Sequence, residues 1–196
     1  DLKQFALWYS TKGRPKVKVT SWFKNGIFTM KFIQEFHNNT SKNSKPMLIP
    51  MTIGLINKNG HEMRKSETFL ISQEKQVITF NNLSSRPIPS ILRDFSAPIT
   101  LIDNISESDL HILGRHDKNL FNRWNVIRQL SFKAIEKLIC HNEPISDNLL
   151  SIIKTTISSE HLSPAYRTVI VTPPSEQDII NYFSSIKKTA NPMTIY

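Results

Sequence analysis

Apolar and polar residues mostly alternate over the first hundred positions of this chain, and after that the apolar residues recur at helical spacing. Phe5-Ala-Leu-Trp-Tyr-Ser10 reads as an aromatic strand, closed by Lys12-Gly13 and Pro15 as turn formers. Val17 and Val19 alternate with Lys16, Lys18 and Thr20, which predicts one buried and one wet face. Asn25-Gly26 is a strong hairpin signal, because both residues tolerate positive φ. Phe28, Met30 and Phe32 resume the alternation, and Asn38 to Lys45 is a polar loop. Ile49, Met51, Ile53 and Leu55 form the next strand, ended by Asn59-Gly60. Phe69 to Ser72, Gln76 to Phe80 and Ile99 to Ile102 complete a set of about seven short strands, the pattern of an antiparallel β-sandwich.

Between the two patterns lies Arg86-Pro-Ile-Pro-Ser-Ile-Leu-Arg-Asp-Phe-Ser-Ala-Pro-Ile99, which holds three of the eleven prolines. Each proline fixes its own φ and pushes its predecessor into extended backbone, so the stretch reads as a stiff connector and not a helix. A surface loop does not need Ile88, Ile91, Leu92, Phe95 and Ile99 together, so the stretch should pack against something. It is expected to be the plate that joins a β part to an α part, with the Phe95 ring buried where they meet and Phe69 partly exposed.

From Ser106 the period changes. Ser106-Glu-Ser-Asp109 resembles a capping box ahead of Leu110 and Leu113. Leu120, Trp124, Ile127, Ala134 and Leu138 fall on one helical stripe, widened by Leu130 and Ile135. Ser146-Asp147 can cap a helix through Leu149, Leu150, Ile153 and Ile157, and Ser163-Pro164 puts a cap residue before a first-turn proline. Thr172-Pro-Pro174 stops that helix, and Ser175 with Asp178 begins another through Ile179, Ile180, Phe183 and Ile186. The reading is a sandwich over 1–102 and a series of antiparallel helices over 103–196. The chain opens on Asp1 and stops just after Asn191-Pro192, which suggests a piece of something longer.

Composition narrows the class without naming a chemistry. At 196 residues with 39% hydrophobic and 9% aromatic content, the chain should fold, and no window approaches a membrane span. The single cysteine, Cys140, rules out an internal disulfide framework and suits a reducing compartment. The net charge of +9 raises a nucleic-acid reading. The lysines are scattered, however, and neither an aromatic-interleaved basic motif nor a recognition helix accompanies them, so a solvated face is preferred to a specific nucleic-acid partner.

Candidate chemistry is thin. His61-Glu62-Met-Arg-Lys65 looks like the start of a helical zinc motif, but Lys65 stands where the second histidine belongs, and the segment follows Asn59-Gly60 in a β-rich region. It reads as a loop coincidence. His37, His111, His116, His141 and His161 show no ligand spacing, and Cys140 reads as a buried thiol. Five scattered glycines leave no phosphate loop.

Four groups of residues nevertheless resemble a known family. They are Phe5-x-x-Trp8-Tyr9-x-x-x-Gly13-x-Pro15, then Lys45-Pro-x-x-Ile-Pro50-x-x-Ile-Gly-Leu55, then Arg86-Pro-x-Pro-Ser-x-Leu-Arg93-x-Phe-Ser-Ala-Pro98, and Phe121-Asn-Arg-Trp124. In that order they resemble the C-terminal part of bacterial aminopeptidase N, the zinc-dependent alanyl aminopeptidases, over about residues 1 to 124. The resemblance implies an immunoglobulin-like sandwich followed by the first helices of a large helical domain, both downstream of a thermolysin-like catalytic domain. The family's zinc helix and its amine-binding Gly-x-Met-Glu-Asn segment are absent from this sequence. No catalytic, metal or substrate-binding residue can therefore be assigned, and no cofactor is expected in this chain, zinc being held by the parent protein.

The resemblance implies a cytoplasmic, non-catalytic fragment, inactive alone, of a peptide-degrading metallopeptidase. It would brace the upstream catalytic domain and begin a helical wall limiting peptide access. Arg86, Pro87, Pro89, Leu92, Arg93, Asp94, Phe95 and Trp124 are the expected interdomain packing residues. The competing reading is a free-standing sandwich-plus-helix binding module whose basic surface meets an acidic partner.

Overall fold

Asn25 and Gly26 sit at φ 51° and 76° and turn the chain between β1 (Lys16–Lys24) and β2 (Ile27–Glu35), as the sequence requires. Positive φ at both central residues gives a turn whose twist matches that of the paired strands. In this computed structural model residues 2–11, 13–35 and 45–186 are described. Most of the polar loop expected from Asn38, as well as His37, Lys12 and the segment with Asn191-Pro192, lie outside them. The chain divides into two units, Asp1–Ser106 and Glu107–Tyr196.

The first unit is a two-sheet sandwich. Further strands are β3 (Ile49–Ile56), β4 (Glu62–Ile71), β5 (Lys75–Phe80), β6 (Ile88–Ile91) and β7 (Thr100–Ile102). One sheet has the order β5-β2-β1-β7 and the other β4-β3-β6. Val17, Val19, Phe28, Met30 and Phe32 from the first face Ile49, Met51, Ile53 and Leu55 from the second in one core. Alternation places them there: one face of each strand must leave water, and period two selects these positions.

Three expectations need correction. Phe5–Ser10 is not a strand but enters a short helix, α1 (Leu7–Ser10). The Trp8 indole N–H donates to the Leu48 carbonyl at 2.9 Å and Gln4 Nε2 to those of Pro46 and Ser72, so side-chain anchoring to the sandwich overrides strand propensity. The sandwich is not wholly antiparallel, because β7 pairs with β1 in parallel, Lys16 opposite Thr100. Finally, the proline-rich stretch is not only a connector. Ile88–Ile91 pairs antiparallel with β3 as an edge strand, the place in a sheet where Pro89, lacking an N–H, is tolerated.

The second unit is helical: α2 (Glu107–His116), α3 (Leu120–His141), α4 (Asp147–Ile157), α5 (Pro164–Val171) and α6 (Glu176–Ser185). Ser146 and Ser163 cap α4 and α5 as expected, and Ser175 with Asp178 closes a reciprocal capping box on α6. The buried stripes are shifted from those read in the sequence. On α4 the buried residues are Leu149, Ile152 and Thr156, while Leu150 and Ile157 are exposed; on α3 they are Asn122, Val126, Ile127 and Leu130, with Leu120 and Leu138 exposed. α3 and α4 pack against α2 at Gly114, where a Cβ would meet Ile127 at 3.4 Å and Ile152 at 3.6 Å, ordinary van der Waals contact.

Candidate functional site

Arg93 organises the most tightly built polar cluster of the sandwich. The chain leaves β6 through Leu92, Asp94 and Phe95 at φ 64°, 56° and 50°, left-handed backbone that costs each of these residues about 1–2 kcal/mol. That turn sends the Arg93 side chain back across β3. Its Nε donates to Ser90 Oγ at 2.7 Å, and Nη1 donates to Glu62 Oε1 at 2.7 Å and to Ser66 Oγ at 2.6 Å. Gly54 of β3 makes room for it, because a Cβ on Gly54 would land on the guanidinium. Buried Arg93 thus links β3, β4 and β6 as an internal clamp.

The eight expected packing residues do not share one environment. Pro87, Pro89, Leu92 and Arg93 are buried, whereas Arg86 and Asp94 are exposed. Phe95 is 46% exposed, so the expectation of a buried ring is not met. Positive φ at Phe95 turns the chain there, and sequence patterning carries no information about that turn. Phe69, by contrast, packs on the core, edge-on to Phe80 at 5.6 Å. Trp124 is half-buried in α3, beside Phe121 and with the Arg128 guanidinium 5.8 Å from its ring.

One residue that the sequence reading passed over proves structural. Gln34 falls on the inward face of β2, and its buried amide donates to the Met47 and Ile71 carbonyls while Oε1 accepts from Met47 N–H. A polar residue at an inward position of an alternating strand was the available signal.

In the helical unit a small cavity of about 90 Å³ is lined by Glu107, His111, Lys137, Glu143 and Ser146 together with apolar residues of α3 and α4. Lys137 Nζ donates to both Glu107 carboxylate oxygens, at 2.9 and 3.2 Å, and this bond holds the Glu107 pKa below its ordinary value. Burial pushes the His111 pKa down, opposed by the Glu107 charge and reinforced by Lys137, Arg115 and Lys133. The folded state therefore holds its proton less tightly than the unfolded chain. The His111 contribution to stability is full above the unfolded value of 6.5 and is lost as pH falls through the lower folded value. Glu107 acts in the same direction only below its own ordinary value of 4.5. We expect the melting temperature to fall from pH 7 to pH 5, and His111→Gln to flatten that slope; an unchanged slope in the variant would rule His111 out as its source.

Among the described residues the candidate motifs of the sequence are not brought together. Glu62 begins a strand, so His61 and Lys65 share no helix face. Cys140 is exposed, contrary to the expected buried thiol. Among the described residues no group of three or more His, Cys, Asp or Glu could hold a metal ion, so these residues do not fit a zinc site. No helix is long and apolar enough to cross a membrane among the described residues.

Comparison with known proteins accounts for both units. Residues 13–104 match a domain of unknown function, DUF3458, with an Ig-like fold, and residues 107–196 match DUF3458_C, described as ARM repeats. The chain is 27% identical to Escherichia coli aminopeptidase N over 97% of its own length and 24% of that protein. Against aminopeptidase N of Haemophilus influenzae identity is 25%, covering 95% of this chain and 23% of the relative. A crystal structure of Legionella pneumophila aminopeptidase A in complex with aspartic acid superposes with a TM-score of 0.80 at 29% identity, covering 92% of this chain and 21% of that one. The chain spans about a quarter of the length of the curated relatives it matches.

Proposed function

Because the chain belongs to the DUF3458 Ig-like and ARM-repeat families, paired as in the C-terminal part of aminopeptidase N, we propose that it serves a zinc-dependent aminopeptidase as a non-catalytic portion. In this reading the sandwich braces the catalytic domain of the same polypeptide, and the helices form part of a wall that restricts which peptides reach the zinc. The metal, the peptide substrates and the cytoplasmic location belong to that larger protein. The observation that carries the reading is the match over nearly the whole chain to about a quarter of each relative.

The test compares the 196-residue chain with the full polypeptide. The chain alone should retain no stoichiometric zinc after dialysis and cleave no alanyl chromogenic substrate, while the full polypeptide does both. Hydrolysis by the isolated chain would overturn the proposal. Removing residues 107–196 from the full polypeptide should raise its rate on bulky peptides relative to a dipeptide substrate; an unchanged ratio would remove the wall from the account.

A further inference from the structure

The outer face of the β5-β2-β1-β7 sheet mixes lysines with exposed apolar side chains. Register places Lys18, Trp22 and Lys24 of β1 opposite Ile33, Thr29 and Ile27 of β2, and Lys31 and Ile33 of β2 opposite Val77 and Lys75 of β5. Ile102 of β7 lies beside Lys18. These positions alternate with the inward-facing Val17, Val19, Phe28, Met30 and Phe32, so they share the opposite face. Trp22 is 48% exposed and Val77 55%, and Ile27 and Ile102 are exposed as well.

Charge on this face is mostly positive. Lys16, Lys18, Lys24, Lys31 and Lys75 occupy outward positions, and Glu35, at the end of β2, is the single acidic residue among them. Lysines spaced along a water-facing sheet would need no tryptophan between them. A half-exposed tryptophan and three other exposed aliphatic side chains among lysines have the composition of an interface centre with a charged rim.

We propose that this face docks an acidic-rimmed, apolar surface of the rest of the aminopeptidase polypeptide. The inference rests on the functional reading above, and charge complementarity selects the occupant: the lysines favour carboxylates, and the exposed Trp22 and Val77 favour an apolar centre. The relatives' length supplies the partner, since about three quarters of it lies outside the matched region.

Carbodiimide treatment of the full polypeptide tests this, because it joins lysines only to carboxylates they already touch. We expect links from Lys18, Lys24, Lys31 or Lys75 to Asp or Glu outside this chain, and acetylation of these lysines at least about threefold slower in the full polypeptide than in the 196-residue chain. Lys18→Glu with Lys31→Glu should lower the melting temperature of the full polypeptide and leave that of the isolated chain nearly unchanged. No such links together with equal acetylation would overturn the assignment. So would retention of duplex DNA or of vesicles containing anionic lipid by the isolated chain, abolished by the same two substitutions. A full polypeptide without zinc-dependent activity would sink the functional reading but leave the crosslinks to report on the face. Activity without the crosslinks would sink only the face.

Discussion

Arg93→Ala is expected to destabilise the sandwich by about 2–4 kcal/mol, a large share of a domain's margin of about 5–15 kcal/mol. The substitution removes at least the bonds to Ser90, Glu62 and Ser66, and it does so beside Ser90, which is fully buried. Glu62 is partly solvated, which keeps the cost below that of a fully buried pair. Arg93→Lys should recover little, because an ammonium cannot reach Ser90 and the Glu62–Ser66 pair from one planar fork. Gly54 supplies the internal control. Gly54→Ala drives a methyl into the guanidinium, so it should be costly in the native background and markedly cheaper beside Arg93→Ala. Urea denaturation of the four proteins measures the coupling; additive effects would mean that Arg93 is not clamped over β3.

Phe32→Ala should cost about 3–5 kcal/mol, through lost burial and the cavity it leaves, and Phe95→Ala less than about 1 kcal/mol. Phe32 is fully buried between the sheets, while Phe95 is 46% exposed on the turn after β6. Phe69→Ala should fall between them, since its ring is partly buried against Phe80. One denaturant series on the isolated chain gives the order. A loss at Phe95 as large as that at Phe32 would show that a ring 46% exposed contributes as much as a core ring, against the expected order.

Much of this fold was legible because its signals are local. Asn25-Gly26 had to turn, since positive φ at two adjacent positions suits few other residue pairs. Ser146, Ser163 and Ser175 had to start helices, since each hydroxyl accepts from an orphan N–H within its own first turn. The core positions of β1, β2 and β3 followed from period two alone. That His61 begins no helical zinc motif was equally plain, because Lys65 stands four residues on, and Glu62 indeed starts a strand.

What the tertiary structure decided depends on distant partners. Phe5–Ser10 has strand propensity but becomes helix, because Trp8 and Gln4 find carbonyls some 40 or more residues away. Apolar spacing on α4 fixed its period but not its phase, and packing chose Ile152 and Thr156 over Leu150 and Ile157. Arg93 looked like a group for another domain, since nothing in Leu-Arg-Asp-Phe reveals the left-handed turn that folds its side chain back over Gly54. Local sequence sets what each segment can do at little cost. Which of those options is taken depends on the desolvation of groups brought together from elsewhere in the chain, and that is settled only when the sheets and helices pack.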